Sequence, residues 1–413
     1  MNFEFFIAKR LIRGKEHKIS ISAPIIKIAI VAIALGVVMM LIAIATGAGL
    51  KQKIREKVAA FNGHVQIYNY DTNYSDVSVV PVSTEQDFYP EFTTVDGISH
   101  IQAVASKAGV IRTEETFEGI IAKGVGKDYN WNAFIEYLVE GELPNYMDEL
   151  NTEVLISSIL ANKLKLKIED SFFTFFLKNG NLESTPNQRR FKVVGIYNSG
   201  FEEFDAKYIL VDIRHIQHMN KWEENQVGNF EVFLDNFDDI EEKSIEIYGK
   251  TGSSLDSQNI KSKHHEIFEW IGLFDFNTAL IIGIMIIVGG INMITALLVL
   301  ILERTQMIGI LKALGAANWS IRKVFLYNAV YLIGVGLFWG NVVGLGVLWM
   351  QYKFRLFKFP NPKEYYIDYI PVHIDFWTVL FLNIGVLVLC LVMLLVPSYI
   401  ITRISPVKAI KFE

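Results

Sequence analysis

The sequence is short of cysteine, of basic excess and of charge inside its longest apolar runs, and each shortage excludes something. One of its 413 residues is a cysteine, Cys390, set in an apolar run. A disulfide framework and a cysteine-based zinc site are therefore impossible within the chain. Lys plus Arg number 39 against 44 Asp plus Glu, a net charge of -5, which argues against a nucleic-acid partner. Gly249-Lys250-Thr251 imitates the end of a phosphate-binding loop, but that loop needs a glycine five residues earlier and position 244 is Ser. His264 and His265 are adjacent, so on a helix they point roughly 100° apart, and no carboxylate–histidine spacing supports them as a metal pair. No Ser/His/Asp set stands out, no metal or cofactor is expected on this chain, and the apolar runs hold too little charge for a proton relay.

What is present is apolar: 51% of residues are hydrophobic and 20% charged. A membrane span needs roughly 20 mostly apolar residues, and four segments qualify: 23–50 (interrupted only by Lys27), 276–302, 324–350 and 376–401. The first run is too long, and too far from Met1, for a cleavable signal peptide. Basic residues gather before the first span (Lys9, Arg10, Arg13, Lys15, Lys18), in the 303–323 link (Arg304, Lys312, Arg322, Lys323) and in the 402–413 tail (Arg403, Lys408, Lys411). That bias places both termini in the cytoplasm, although Lys353, Arg355, Lys358 and Lys363 in the 351–375 loop, and Lys51, Lys53, Arg55 and Lys57, weigh against it. Within residues 1–22, Phe3, Phe6, Ile7 and Leu11 recur at helical spacing among basic residues, the pattern of a helix lying in the membrane interface. Gly336, Gly340 and Gly344 recur every fourth residue of the third span, with Gly334 and Gly346 nearby. Small residues so spaced let helices approach closely, within the subunit or against a partner.

Residues 51–275 read as a large α/β domain on the outer side. Segments 64–70, 191–196, 208–211 and 229–234 look like strands, and 157–164 and 238–248 like helices, the first capped by Ser157. Residues 51–60 and 261–274 keep helical apolar spacing and would extend the flanking spans outward as stalks. Within 172–195, an apolar run at 172–177 leads into Lys178-Asn179-Gly180-Asn181, then Pro186, Gln188, the pair Arg189-Arg190 and Phe191. The pattern is a hairpin with a long polar tip, and two arginines beside it make it a docking candidate.

The most informative stretch is the link. Met307, Ile310, Leu311 and Leu314 form one apolar face of a short helix, and Gly315 can close it in a left-handed cap. A short helix between two spans is a lever, because whatever docks on it moves both. The stretch Glu303-Arg304-x-x-x-Ile308-Gly309-Ile310-Leu311-Lys312-Ala313-Leu314-Gly315-Ala316 resembles the coupling helix of ABC-transporter permeases of the FtsX/MacB superfamily. The tail Ile404-Ser405-Pro406-Val407-Lys408-Ala409-Ile410 resembles that superfamily's terminal run. Within it, three places resemble the lipoprotein-releasing (Lol) permeases: Pro186-x-Gln188-Arg189-x-Phe191-x-Val193-x-Gly195, Gly200-x-x-Glu203-Phe204-Asp205, and the loop Tyr365 to Pro371.

The resemblance implies a four-span permease subunit, not itself an enzyme, paired with a second permease (identical or paralogous) and with an ATPase dimer that holds ATP and Mg. It implies extraction of lipoproteins from the inner membrane and transfer to a periplasmic carrier recruited by the hairpin, with Arg189 and Arg190 as contacts. The lipid would lie against the first two spans, where Met39, Met40, Leu41 and Ile44 offer an adaptable apolar wall. Other readings are a MacB-like efflux or mechanotransmission permease, which often carries its ATPase in the same chain, and an FtsX-like signalling permease regulating cell-wall hydrolases, whose outer domain is smaller. A membrane receptor without ATPase coupling would have no use for the link helix.

Overall fold

A computed structural model describes residues 3–13, 22–72, 75–113, 116–147, 149–176, 186–360 and 369–404. The chain divides into two compact units: Met1–Gln52, Trp270–Lys358 and Tyr369–Glu413 form one, Lys53–Glu269 and Phe359–Asp368 the other.

The first unit is helical. Among the described residues, four helices are long and apolar enough to cross a membrane: Pro24–Asn62, His265–Glu303, Asn318–Phe354 and Phe376–Arg403, termed here the first to fourth long helices. The glycine seam of the third is filled by the first. A Cβ at Gly336 would stand 2.7 Å from the Ile33 side chain, at Gly340 2.7 Å from Val37, and at Gly344 2.8 Å from Leu41. Only hydrogen at these positions lets the two backbones come so close. Gly334 and Gly346 meet nothing within 4 Å. The first and second long helices meet where Gly47 faces the Thr278 hydroxyl and where Lys51 pairs with Asp275 at 2.7 Å.

The third and fourth are joined by a reciprocal amide pair. Asn341 Nδ2 donates to Asn383 Oδ1 at 2.6 Å and Asn383 Nδ2 to Asn341 Oδ1 at 3.0 Å. Each amide also donates to a backbone carbonyl of its own helix, Leu337 and Val379, so both donors on each side chain are satisfied in surroundings where an unpaired polar group is costly. After the third helix the chain turns back around Gln351, whose amide donates to the Phe357 and Ile370 carbonyls and accepts from Phe357 N–H. Past Pro371, His373 N–H donates to the Ala45 carbonyl at 3.0 Å. The N-terminal helix Phe3–Arg13 buries Ala8 and sets Phe5 edge-on to Tyr327 of the third long helix. Phe6 is exposed.

The second unit is α/β. Its strands are β1 Val65–Asn69, β2 Val82–Ser83, β3 Ile98–Arg112, β4 Phe117–Val125, β5 Leu138–Gly141, β6 Glu153–Ser157, β7 Ser171–Phe176, β8 Asn187–Tyr197, β9 Tyr208–Asp212, β10 Gln226–Val227, β11 Asn229–Leu234 and β12 Leu255–Asn259. The long β3 does two jobs along one edge. Its first half pairs with β11 and its last four residues pair with β7. Since β7 also pairs with β8, the strands β3-β4-β9-β6-β8-β7 close into a ring, and β11-β1-β12 extend from β3 as an open sheet. Helix Ser158–Leu164 starts at Ser157, whose hydroxyl accepts from Leu160 N–H, the cap expected from the sequence.

Inside this unit a buried ion pair joins sheet to helix. Lys123 Nζ lies 2.7 Å from Glu231 Oε1 and 2.5 Å from the Phe61 carbonyl, and Gln102 donates to Glu231 Oε2 at 2.8 Å. Burial pushes the Lys123 pKa down, and the Glu231 carboxylate opposes that shift.

Candidate functional site

The link between the second and third long helices forms a nine-residue helix, Thr305–Ala313. Gly315 follows at φ +89°, with Gly315 N–H donating to the Lys312 carbonyl and Ala316 N–H to Leu311, a complete Schellman cap. The apolar face expected at 307, 310, 311 and 314 is split. Ile308 and Gly309 are buried and Met307 and Leu311 half-buried, whereas Ile310 is 48% exposed and Leu314 79%. The helix is packed inward by one set of apolar residues and presents a second set outward. Gln306, Ala313, Gly315 and Glu303 lie on the exposed side and Arg304 is half-buried. Lys312 turns inward: its Nζ lies 2.7 Å from the Ile401 carbonyl, 3.2 Å from Thr402 and 2.8 Å from Ile404. Burial lowers its pKa. Arg322, at the start of the third long helix, donates to the Leu395 carbonyl and the Ser398 hydroxyl. Two cations thus hold the last turns of the fourth helix.

The hairpin is β7 and β8, with Phe176 opposite Asn187 at its base. Lys178 and the rest of the tip, residues 177–185, lie outside the described residues. Pro186 and Gln188 are exposed. The arginine pair does not act together. Arg190 is exposed and faces Phe173, while Arg189 is half-buried and faces the buried Thr174. Successive residues of a strand point to opposite faces, so one partner surface cannot take both. Phe191, expected among the docking residues, is fully buried and packs against Phe172 and His215. Arg190 instead ends a cross-strand row, Phe117, Arg112, Phe173, Arg190, running over β4, β3, β7 and β8. Beside it lies an open groove of about 680 Å³ lined by Arg112, Thr113, Phe173 and Lys165 among others.

The expected lipid wall is corrected as well. Met40 is 2% exposed and Leu41 0%, both packed in the helix bundle's own core. Leu41 fills the seam at Gly344. Met39 faces outward, in a stripe with Ile28, Val31 and Leu35, and Ile44 is half-buried.

The turn at Gly200–Asp205 is organised around the Asp205 carboxylate. Asp205 Oδ1 accepts from Ser199 Oγ at 2.7 Å and Oδ2 from Gly200 N–H at 3.1 Å. Its backbone carbonyl takes the Ser157 hydroxyl. Burial raises the Asp205 pKa against the pull of those hydrogen bonds. The organised turn presents the Ser199 carbonyl to Lys57 Nζ at 2.7 Å and stacks Phe204 on Phe61, so it holds the C-terminal end of the first long helix. The sequence singled out this turn without showing what it packs against. It missed the Asn341–Asn383 pair, although each is an amide set in an apolar run.

Four helices long and apolar enough to cross a membrane, an inserted α/β domain and a helical link with outward apolar residues make up the architecture of a membrane permease subunit. The MacB-like periplasmic core domain model matches residues 28–253, more than half of the chain, and the FtsX-like permease C-terminal model matches residues 279–406. The chain belongs to this FtsX/MacB-like permease family, whose members work as ABC-transporter permease subunits. Its relatives include the lipoprotein-releasing system transmembrane protein LolE of Haemophilus influenzae, 22% identical with 99% of each chain covered. LolC of the same organism is 23% identical with 100% of each chain covered. Among solved structures, the periplasmic region of MacB from Actinobacillus actinomycetemcomitans matches 49% of this chain and 91% of its own at 13% identity, TM-score 0.33.

Proposed function

We propose that this chain is the membrane subunit of an ATP-driven transporter that extracts lipoproteins from the inner membrane and passes them to a periplasmic carrier. One observation carries the reading: the likeness to lipoprotein-releasing permeases runs through 99% of both chains rather than through one shared domain. In this reading the four long helices span the membrane with both termini cytoplasmic. A second permease and an ATPase dimer complete the complex, and ATP and Mg belong to the ATPase. The ATPase seats on the outward residues of the link, Ile310 and Leu314. The carrier meets the hairpin on the Arg190 face, and acyl chains run along the outward stripe that includes Met39.

The chemistry explains why both fuel and carrier are needed. Moving a lipid chain out of a bilayer costs about 0.8 kcal/mol per CH₂. Three chains of ordinary length therefore come to tens of kcal/mol, roughly, if they must cross water. A carrier that receives the chains directly removes most of that barrier, and ATP-driven closure supplies the push.

The test is reconstitution of the complex in proteoliposomes with a labelled lipoprotein. Release that needs both ATP and an added soluble carrier supports the proposal. An active ATPase with no release would move the assignment to a MacB-like efflux or FtsX-like signalling role.

A further inference from the structure

We infer that Lys312 is a strut tying the cytoplasmic link to the end of the fourth long helix, a positioning residue for energy coupling and not an ATPase contact. The inference rests on the coupling reading of the link given above. The sequence places Lys312 in a stretch expected to dock the ATPase. The structure turns its ammonium the other way, onto the Ile401, Thr402 and Ile404 carbonyls. A helix end leaves carbonyls without intrahelical partners and carries a partial negative charge. An ammonium has three donors, and here three carbonyls receive them. All three acceptors are backbone atoms, so Lys312 recognises a helix end rather than any particular side chain.

Arg322 holds the same segment one turn earlier, at Leu395 and Ser398. The fourth helix is thus gripped from the link and from the third helix together. A push on the exposed Ile310 and Leu314 then reaches the fourth helix through Lys312. Without the strut, the link moves and the helix end lags.

The experiment uses the full complex with its ATPase subunit, in a Cys390→Ala background carrying spin labels at Asn318, in the link just past its helix, and at Ile400, both exposed positions. In the parent the label distance stays single and narrow with and without ATP. Lys312→Met, which keeps the stem and removes every donor, should at least double the width of the ATP-state distribution and lower lipoprotein released per ATP about fivefold. The ATPase subunit should still co-purify. Lys312→Arg, which restores donors, should return the narrow distribution. Leu314→Asp, on the outward face, should instead lose the ATPase subunit. Lys312→Leu, which also carries no donor, replaces Lys312→Met should the latter not fold.

A width unchanged in Lys312→Met, or loss of the ATPase subunit as in Leu314→Asp, overturns the strut. If the parent complex releases no lipoprotein while the label distance still depends on Lys312, the cargo reading falls and the strut stands. If release is normal and the distance ignores Lys312, the strut falls alone.

Discussion

Arg189 and Arg190 are neighbours in the chain and strangers in space. Arg190 shares the outward face with Phe173, and Arg189 looks toward the buried Thr174. A partner docking on the outward face meets one guanidinium, with aromatic surface beside it. Arg190→Glu should therefore weaken carrier capture roughly fivefold, ~1 kcal/mol, the scale of an exposed charge contact. Arg189→Glu should leave capture within about twofold. Pull-down of the carrier by the assembled complex checks this, and equal losses in both variants would contradict the facing. The sequence displays the adjacency of the two arginines but not their facing, which follows only once β8 is known to be a paired strand. The same holds for Met40 and Leu41. Both look like any other residue of an apolar run, and only the packing partner separates a core position from a lipid-facing one.

At the scale of elements, the glycine seam shows what spacing can and cannot reveal. Small residues every fourth position announce a close helix contact, yet the pattern is the same for a neighbour in the chain and for a second subunit. Here Ile33, Val37 and Leu41 of the first long helix fill it. Gly340→Val would drive a side chain into Val37 and the Ala34 carbonyl, and overpacking of this kind costs about 1–3 kcal/mol. The expected outcome is a lower unfolding temperature in detergent and less monodisperse protein by size exclusion. Gly334→Val, at a position with open space around it, should change neither, and equal damage from both would mean that the seam is not the contact. The link helix was legible in sequence because a short amphipathic run between two apolar ones is a local signal. Its rotation was not, because Ile308 and Ile310 are equally apolar and only the bundle decides which turns inward.

For the molecule as a whole, two half-buried histidines bear on acid stability. His64 Nδ1 accepts from Leu234 N–H at 2.8 Å, so a proton on that nitrogen would break the bond, and burial lowers its pKa to about 4. His264, edge-on to Phe204, is lowered to about 4 mainly by burial, with Lys263 adding to it. An unfolded histidine takes up its proton near pH 6.5. Between pH ~6.5 and ~4 the unfolded chain therefore binds more protons than the folded one, and stability falls as pH falls. Thermal unfolding midpoints of the full chain should drop across that window. His64→Asn, whose side-chain oxygen can still accept from Leu234, should flatten the slope, and a slope unchanged by that substitution would remove His64 from the account.

The long apolar helices and the α/β character of the insert were readable because length and periodicity are properties of contiguous sequence. The closed strand ring was not. It depends on β7 pairing with both β3 and β8, and strand partners far apart in the chain leave no local trace. That ring has one more consequence. The hairpin's strands are held by their ring neighbours, and Phe176 and Asn187 already stand opposite each other where the tip begins. Any segment able to join those two ends leaves the ring closed, so the connection between β7 and β8 is free to change in length and sequence without redrafting the sheet that carries it.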